Sequence, residues 1–202
     1  QGVVLHPTDL RRILDTVLVM ESLSRWLEGV SDDYPGLSRL RAKIAAVPEL
    51  RSRLYETVDV DGSIKDSASP ALQKIRRALG DFRERMRKRA EELARRRDIS
   101  QYLQEPIVYM RDGRYVLPVR QEHAAKIGGL VHDQSASGQT LFVEPPELLE
   151  MANQMKRLEL EERDEIERIL AEVSTMVGSA AEALHEGSRA LSDFDFALAK
   201  AR

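Results

Sequence analysis

The chain is 202 residues long, 42% hydrophobic and 32% charged, and its 31 Lys and Arg against 34 Asp and Glu leave a formal charge of −3. The absence of cysteine excludes disulfides and thiolate zinc sites, and with one Trp, five Tyr and four Phe the composition describes a mainly α-helical chain of one or two domains. The charge balance carries no global signal for nucleic acid, so such a signal has to be local, and no apolar run approaches the roughly 20 residues of a membrane span, which predicts a soluble, cytoplasmic protein with no membrane partner.

The opening Gln1-Gly2-Val3-Val4 has neither an initiator Met nor a signal-peptide layout and is expected to be the cut edge of a larger protein. Thr8 or Asp9 can cap a first helix in which Leu10, Ile13, Leu14, Val17 and Leu18 recur at helical spacing towards Trp26, with Gly29 ending it. Leu37, Leu40, Ile44, Val47, Leu50 and Leu54 continue the period across Pro48 in one or two short helices. Val58 to Lys65 alternates about Asp61-Gly62 as a hairpin. Residues 1–66 therefore read as a helical core with a short hairpin.

Ser69-Pro70 places an N-cap before a proline at the first helical position. Leu72, Ile75, Leu79, Phe82, Met86 and Leu93 then keep coiled-coil spacing, which predicts an ascending lever helix within residues 67–105. In residues 106–146, Ile107 to Met110 and Tyr115 to Val119 flank an Asp112-Gly113 turn, and Pro118 marks an edge or a bulge. Ile127 to His132 and Thr140 to Val143 read as two more strands joined by the polar stretch Gln134 to Gln139. Residues 147–202 read as a descending lever helix, carrying Leu148, Met151, Met155, Leu158, Ile166, Ile169, Val173 and Met176, and a return to the core. Residues 71–97 hold 11 basic and 4 acidic side chains, and residues 147–173 hold 4 and 9. Opposite charge and facing seams predict a long antiparallel coiled-coil lever, roughly 40 Å at 1.5 Å per residue, with a small antiparallel β unit inserted at its tip.

No G-x-x-x-x-G-K-[ST] loop is present, and His6, His123, His132 and His185 are scattered without metal-ligand spacing. Asp59-Val60-Asp61-Gly62 resembles the start of a calcium loop, but the last ligand position falls on Ala68 instead of Glu. His132, Asp133, Ser135 and Ser137 are the residue types of a hydrolase triad, yet close chain neighbours seldom build that relay. No catalytic, metal or cofactor residues are expected. The best binding surface is the β unit, where Arg111, Arg114, Arg120 and Lys126 stand among His132, Gln134, Ser135, Ser137, Gln139 and Thr140, all able to donate to phosphate oxygens. Asp112, Glu122, Asp133 and Glu144 balance that charge, which leaves an ordinary solvated surface as the competing reading. Lys88-Arg89 and Arg95-Arg96-Arg97 either extend a phosphate-tracking stripe or answer the acidic helix.

Asp66 to Pro70, Tyr102-Leu103-Gln104-Glu105, Gly113 to Val119, and the run Val131-His132-Asp133-Gln134-Ser135-Ala136-Ser137-Gly138-Gln139-Thr140-Leu141-Phe142-Val143-Glu144-Pro145 together resemble the second bacterial paralogue of the MutS family, over nearly the whole chain and in order. The resemblance implies the core, lever and clamp region of a homodimeric ATPase. Residues 191–199 are similar to the segment before that ATPase domain, so ATP and Mg²⁺ would bind outside this chain, as would a C-terminal Smr nuclease domain. It further implies recombination suppression on branched DNA or action on collided ribosomes. The expected role is therefore a non-catalytic clamp that contacts nucleic-acid backbone, or alternatively an arm that touches rRNA or protein and transmits the ATPase state.

Overall fold

The computed structural model describes residues 3–30 and 34–201. The predicted cut edge at Gln1-Gly2 lies outside them. The described residues form eight helices, α1 (Pro7–Glu28), α2 (Pro35–Ala42), α3 (Pro48–Thr57), α4 (Pro70–Arg95), α5 (Arg97–Ser100), α6 (Ala124–Ile127), α7 (Pro146–Ser179) and α8 (Ala181–Ala201). Four strands, β1 (Tyr109–Arg111), β2 (Arg114–Arg120), β3 (Leu130–Gln134) and β4 (Thr140–Glu144), make one antiparallel sheet of order β1-β2-β4-β3. The fold is mainly α with a small β unit, as the composition predicts. Among the described residues no helix is long and apolar enough to cross a membrane. The chain divides into two compact units, Gln1–Gln73 with Asp164–Arg202, and Lys74–Arg163.

The first unit closes on Leu10, Leu14, Leu50, Leu54, Val58, Ile64, Leu72, Ile169 and Val173, all buried. α1 starts earlier than predicted. Pro7 takes the first helical position, where its missing N–H costs nothing, so the cap falls on His6, whose Nδ1 accepts from the Thr8 N–H at 3.4 Å. The expected hairpin shrinks to a loop with a single bridge, Val58 to Ile64, because both of those side chains turn into the core and only a tight turn with Gly62 at φ 81° separates them.

Ser69 caps α4 as its sequence position requires. Its Oγ accepts from the Leu72 N–H at 2.9 Å and donates to Glu165 Oε1 at 2.6 Å, tying α4 to α7 within this unit. Arg168, with Ser69 second, holds the Glu165 carboxyl at about 2, well below the usual carboxylate range.

In the second unit, Arg76 Nε meets Glu162 Oε1 at 2.7 Å and Arg89 Nη2 meets Glu147 Oε2 at 2.5 Å. Moving up α4 thus means moving down α7, so the two helices run antiparallel here. Leu79, Phe82, Met86, Ala90 and Leu93 are buried on α4, and Leu148 and Ala152 on α7. Glu147 also receives Arg96 at 3.2 Å, and the Arg89 guanidinium pulls its carboxyl below the ordinary value.

Two strand assignments change. Pro118 is neither at an edge nor at a bulge: it is buried in β2, between β4 and the Leu103-Gln104 segment. Its carbonyl accepts from the Gln104 N–H at 2.8 Å. In an antiparallel ladder a residue's N–H and C=O face the same neighbour, so the proton Pro118 lacks is missing on the Gln104 side and the β4 ladder is untouched. Ile127 belongs to α6, and the following strand starts only at Leu130, because Gly128 and Gly129 turn the chain at φ 68° and 94°.

Ser69→Ala removes a cap and leaves Glu165 without its hydroxyl partner; it should destabilise the protein by about 1–2 kcal/mol in urea unfolding, with an unchanged m-value. A depressed carboxyl contributes stability above its unfolded value, about 4.3, that is lost as pH falls toward about 2. The Glu165→Gln variant should therefore show a shallower loss of stability between pH 5 and pH 2 than the parent.

Candidate nucleic-acid interface

Paired residues in an antiparallel ladder share a face, and faces alternate along each strand. Leu117, Val119, Leu141 and Val143 therefore face one way, and they pack into the buried cluster with Ala90, Leu93, Ala94 and Leu148. The opposite face carries Arg111, Arg114, Val116, Pro118, Arg120, Thr140, Phe142, Glu144 and Asp133. Alternation thus puts four of the ten predicted binding residues, Arg111, Arg114, Arg120 and Thr140, on the face opposite that cluster.

Glu144 is fully buried. Its Oε1 accepts from Arg114 Nη1 at 3.4 Å and its Oε2 lies 2.7 Å from His132 Nε2. His132 reaches it because the β3 register slips by one residue between Val131 and Asp133, leaving His132 as the extra residue of a bulge. Arg111 stands directly opposite Arg114 in the β1–β2 ladder, a like-charge pair that each arginine resolves with its own carboxylate. Arg111 Nε donates to Asp133 Oδ2 at 3.0 Å, and the guanidinium carbon sits 4.2 Å from the Phe142 ring centre and 5.6 Å from that of Tyr109. Tyr109 and Phe142 meet edge to face at 5.4 Å. A hydrogen bond to Glu105, helped by burial, holds the Tyr109 phenol above its ordinary value.

The other end of the sheet is arranged differently. Arg120 is paired with Thr140 in the ladder and is exposed. Lys126 is exposed with its Nζ 4.9 Å from the Tyr102 ring centre, and Tyr102 meets His123 edge-on at 5.1 Å. Among the described residues neither cation makes an ion pair. Beside Arg120 runs the β3–β4 turn. Ser135 N–H donates to Thr140 O at 2.9 Å, Gly138 N–H to Ser135 O at 2.8 Å, and Thr140 N–H to Ser135 Oγ at 3.1 Å. The Gln121 N–H donates to Gln139 O at 3.0 Å, which joins the turn to the end of β2. Gln134, Ser137 and Gln139 are exposed there, while Ser135 and Thr140 are half-buried.

The ten predicted residues therefore fall into two groups and Lys126. Arg111, Arg114 and His132 hold internal partners on the sheet face. Arg120, Gln134, Ser135, Ser137, Gln139 and Thr140 gather at the turn end, and Lys126 lies against the Tyr102 ring. Sequence reasoning missed the aromatic pair Tyr109–Phe142, which only strand register brings to Arg111, and the Tyr102–Lys126 contact, which only tertiary packing makes. On α4, Arg89 and Arg96 do answer the acidic helix through Glu147, whereas Arg95 and Arg97 are exposed and make no ion pair among the described residues. No group of three or more His, Asp or Glu among the described residues is placed to hold a metal ion.

Gly129 fixes the approach of β3 to β4. A Cβ there would lie 2.0 Å from the Glu144 carbonyl oxygen, and the backbone is at φ 94°. Gly129→Ala should destabilise the unit by roughly 2 kcal/mol or more and speed amide exchange in β3 and β4 ahead of α4, measured by hydrogen exchange with mass spectrometry.

No protein-family model matches the chain. Among curated proteins it is 41% identical over 202 residues to "Endonuclease MutS2" of Symbiobacterium thermophilum, 38% over 202 to that of Pelotomaculum thermopropionicum, and 37% over 204 to that of a Geobacillus species. Each match takes in the whole of this chain but only 25–26% of the relative, so the chain spans about a quarter of the length of the curated relatives it matches. With its motif runs, its mainly α fold and its β unit all accompanied by this end-to-end identity, the chain belongs to the MutS2 branch of the MutS family.

Proposed function

We propose that this chain is the non-catalytic lever and clamp region of a MutS2-type ATPase, with residues 1–66 as core, 67–105 as the ascending lever helix, 106–146 as a clamp that grips nucleic-acid backbone, and 147–202 as the descending lever helix and return to the core. In this reading ATP, Mg²⁺ and nuclease chemistry belong to other parts of such a protein, which acts as a homodimer on branched DNA in the cytoplasm. The observation that carries the reading is the turn end of the sheet. Arg120 and Lys126 are exposed cations without carboxylate partners among the described residues, Lys126 against the Tyr102 ring and Arg120 beside a turn that presents Gln134, Ser137 and Gln139. Point charges and short polar donors suit phosphate oxygens, which carry position and not sequence, so the clamp reads shape. The Endonuclease MutS2 relatives support nucleic acid as the partner class.

Arg111, Arg114 and His132 enter this reading as residues that keep the β unit in register, with Arg111 also within reach of a ligand. The near-balanced charge of the unit favours a second reading, an arm that touches ribosomal RNA or protein. Fluorescence anisotropy against a four-way junction, a linear duplex and structured ribosomal RNA over a salt series separates the two. The clamp reading expects salt-dependent binding, and Arg120→Glu with Lys126→Glu should lower the salt slope by about 0.7–0.9 for each phosphate that is no longer neutralised. Affinity and slope unchanged by the double substitution would overturn the assignment. Absence of binding to all three probes would favour the protein-contacting arm.

A further inference from the structure

We infer that the sheet face around Arg111 is a stacking site for unpaired nucleotides, so that the clamp grips single-stranded segments in preference to closed duplex. This rests on the nucleic-acid reading above and names the form of nucleic acid that the site takes.

The Arg111 guanidinium is held on two of its edges. Nε donates to Asp133 and Nη1 donates to the Met110 carbonyl at 3.0 Å, which fixes the plane. Its carbon lies 4.2 Å from the Phe142 ring centre and 5.6 Å from that of Tyr109, and the two rings brace each other edge to face. Yet 35% of the side chain is open to solvent. Nη2 makes no hydrogen bond among the described residues. A guanidinium locked in this way has given up its rotamer freedom before any ligand arrives. The exposed third of such a planar cation suits stacking on a nucleobase, and its unused Nη2 suits a phosphate or a base carbonyl.

Along β2 the buried Val116 and Pro118 separate this site from the exposed end of the same face. By register Arg120 and Thr140 lie on this same face, at the turn end, so a strand stacked on Arg111 would carry its phosphates towards an exposed cation. A closed duplex offers no base plane along its side, and the guanidinium plane would then have nothing to stack on. The site therefore prefers nucleotides that are unpaired, at a branch, a gap or a loop, in DNA or RNA alike.

The first test uses the unaltered chain. Anisotropy is measured with a single-stranded oligonucleotide of about 12 nucleotides, an abasic strand of the same length and charge, and a blunt duplex, each as DNA, with the base-containing single strand repeated as RNA. Stacking predicts that removing the bases weakens binding by about 5- to 150-fold for each stacked base while the salt slope stays the same. Arg111→Lys keeps the charge and removes the plane; it should erase most of the difference between the base-containing and abasic strands, with thermal unfolding by circular dichroism confirming the fold. Equal binding of the abasic and base-containing strands, or tighter binding of blunt duplex, would overturn the stacking site while leaving the backbone-gripping clamp standing. No binding to any probe would overturn both.

Discussion

The β unit depends on one buried carboxylate. Glu144 ends β4, and its two oxygens are taken by Arg114 from β2 and His132 from β3, so a single side chain joins three of the four strands. Burying a carboxylate is costly unless it is paired, and removing one partner of such a group is far worse than never having buried it. The same residue is gripped through its backbone, since Gly129 passes so close to its carbonyl that no Cβ would fit. These two constraints fix the register of β3 on β4, place the bulge at His132, and thereby decide which side chains share a face.

Register in turn separates structure from function within one short stretch of chain. Arg111, Arg114 and Arg120 lie on one face, the first two paired across β1 and β2 and the third at the far end of β2, but their surroundings differ. Arg114 is engaged by Glu144, Arg111 is partly engaged by Asp133 and Phe142, and Arg120 is exposed. A row of like charges is tolerated because the carboxylates are distributed along it unevenly. Arg120, left over at the turn end, is the exposed one of the three.

Much of this is legible in the sequence, and the reasons for the remainder are physical. Helix periodicity in α4 and α7, the Ser69-Pro70 start and the Asp112-Gly113 turn are local signals, and local signals survive without tertiary knowledge. The Val58–Ile64 loop and the start of β3 depart from expectation where the core or a pair of left-handed glycines overrides alternation. Pro118 departs for a related reason, since whether a missing N–H matters depends on which neighbour it faces. The candidate site is legible as composition but not as arrangement. A carboxylate at the end of β4 cannot be assigned to an arginine on another strand until register is known, and neither can an aromatic ring to a guanidinium.

Ligands meet the turn end of the sheet and the exposed part of Arg111 in the function proposed above, while Arg114 and His132 work inside the fold. Chemical-shift mapping of the isotopically labelled chain during titration with a single-stranded oligonucleotide tests that division of labour most directly. The largest changes are expected on Arg120, Lys126, the backbone from Gln134 to Thr140 and the Arg111 side chain. Changes confined to the basic residues of α4, with the β unit silent, would contradict it.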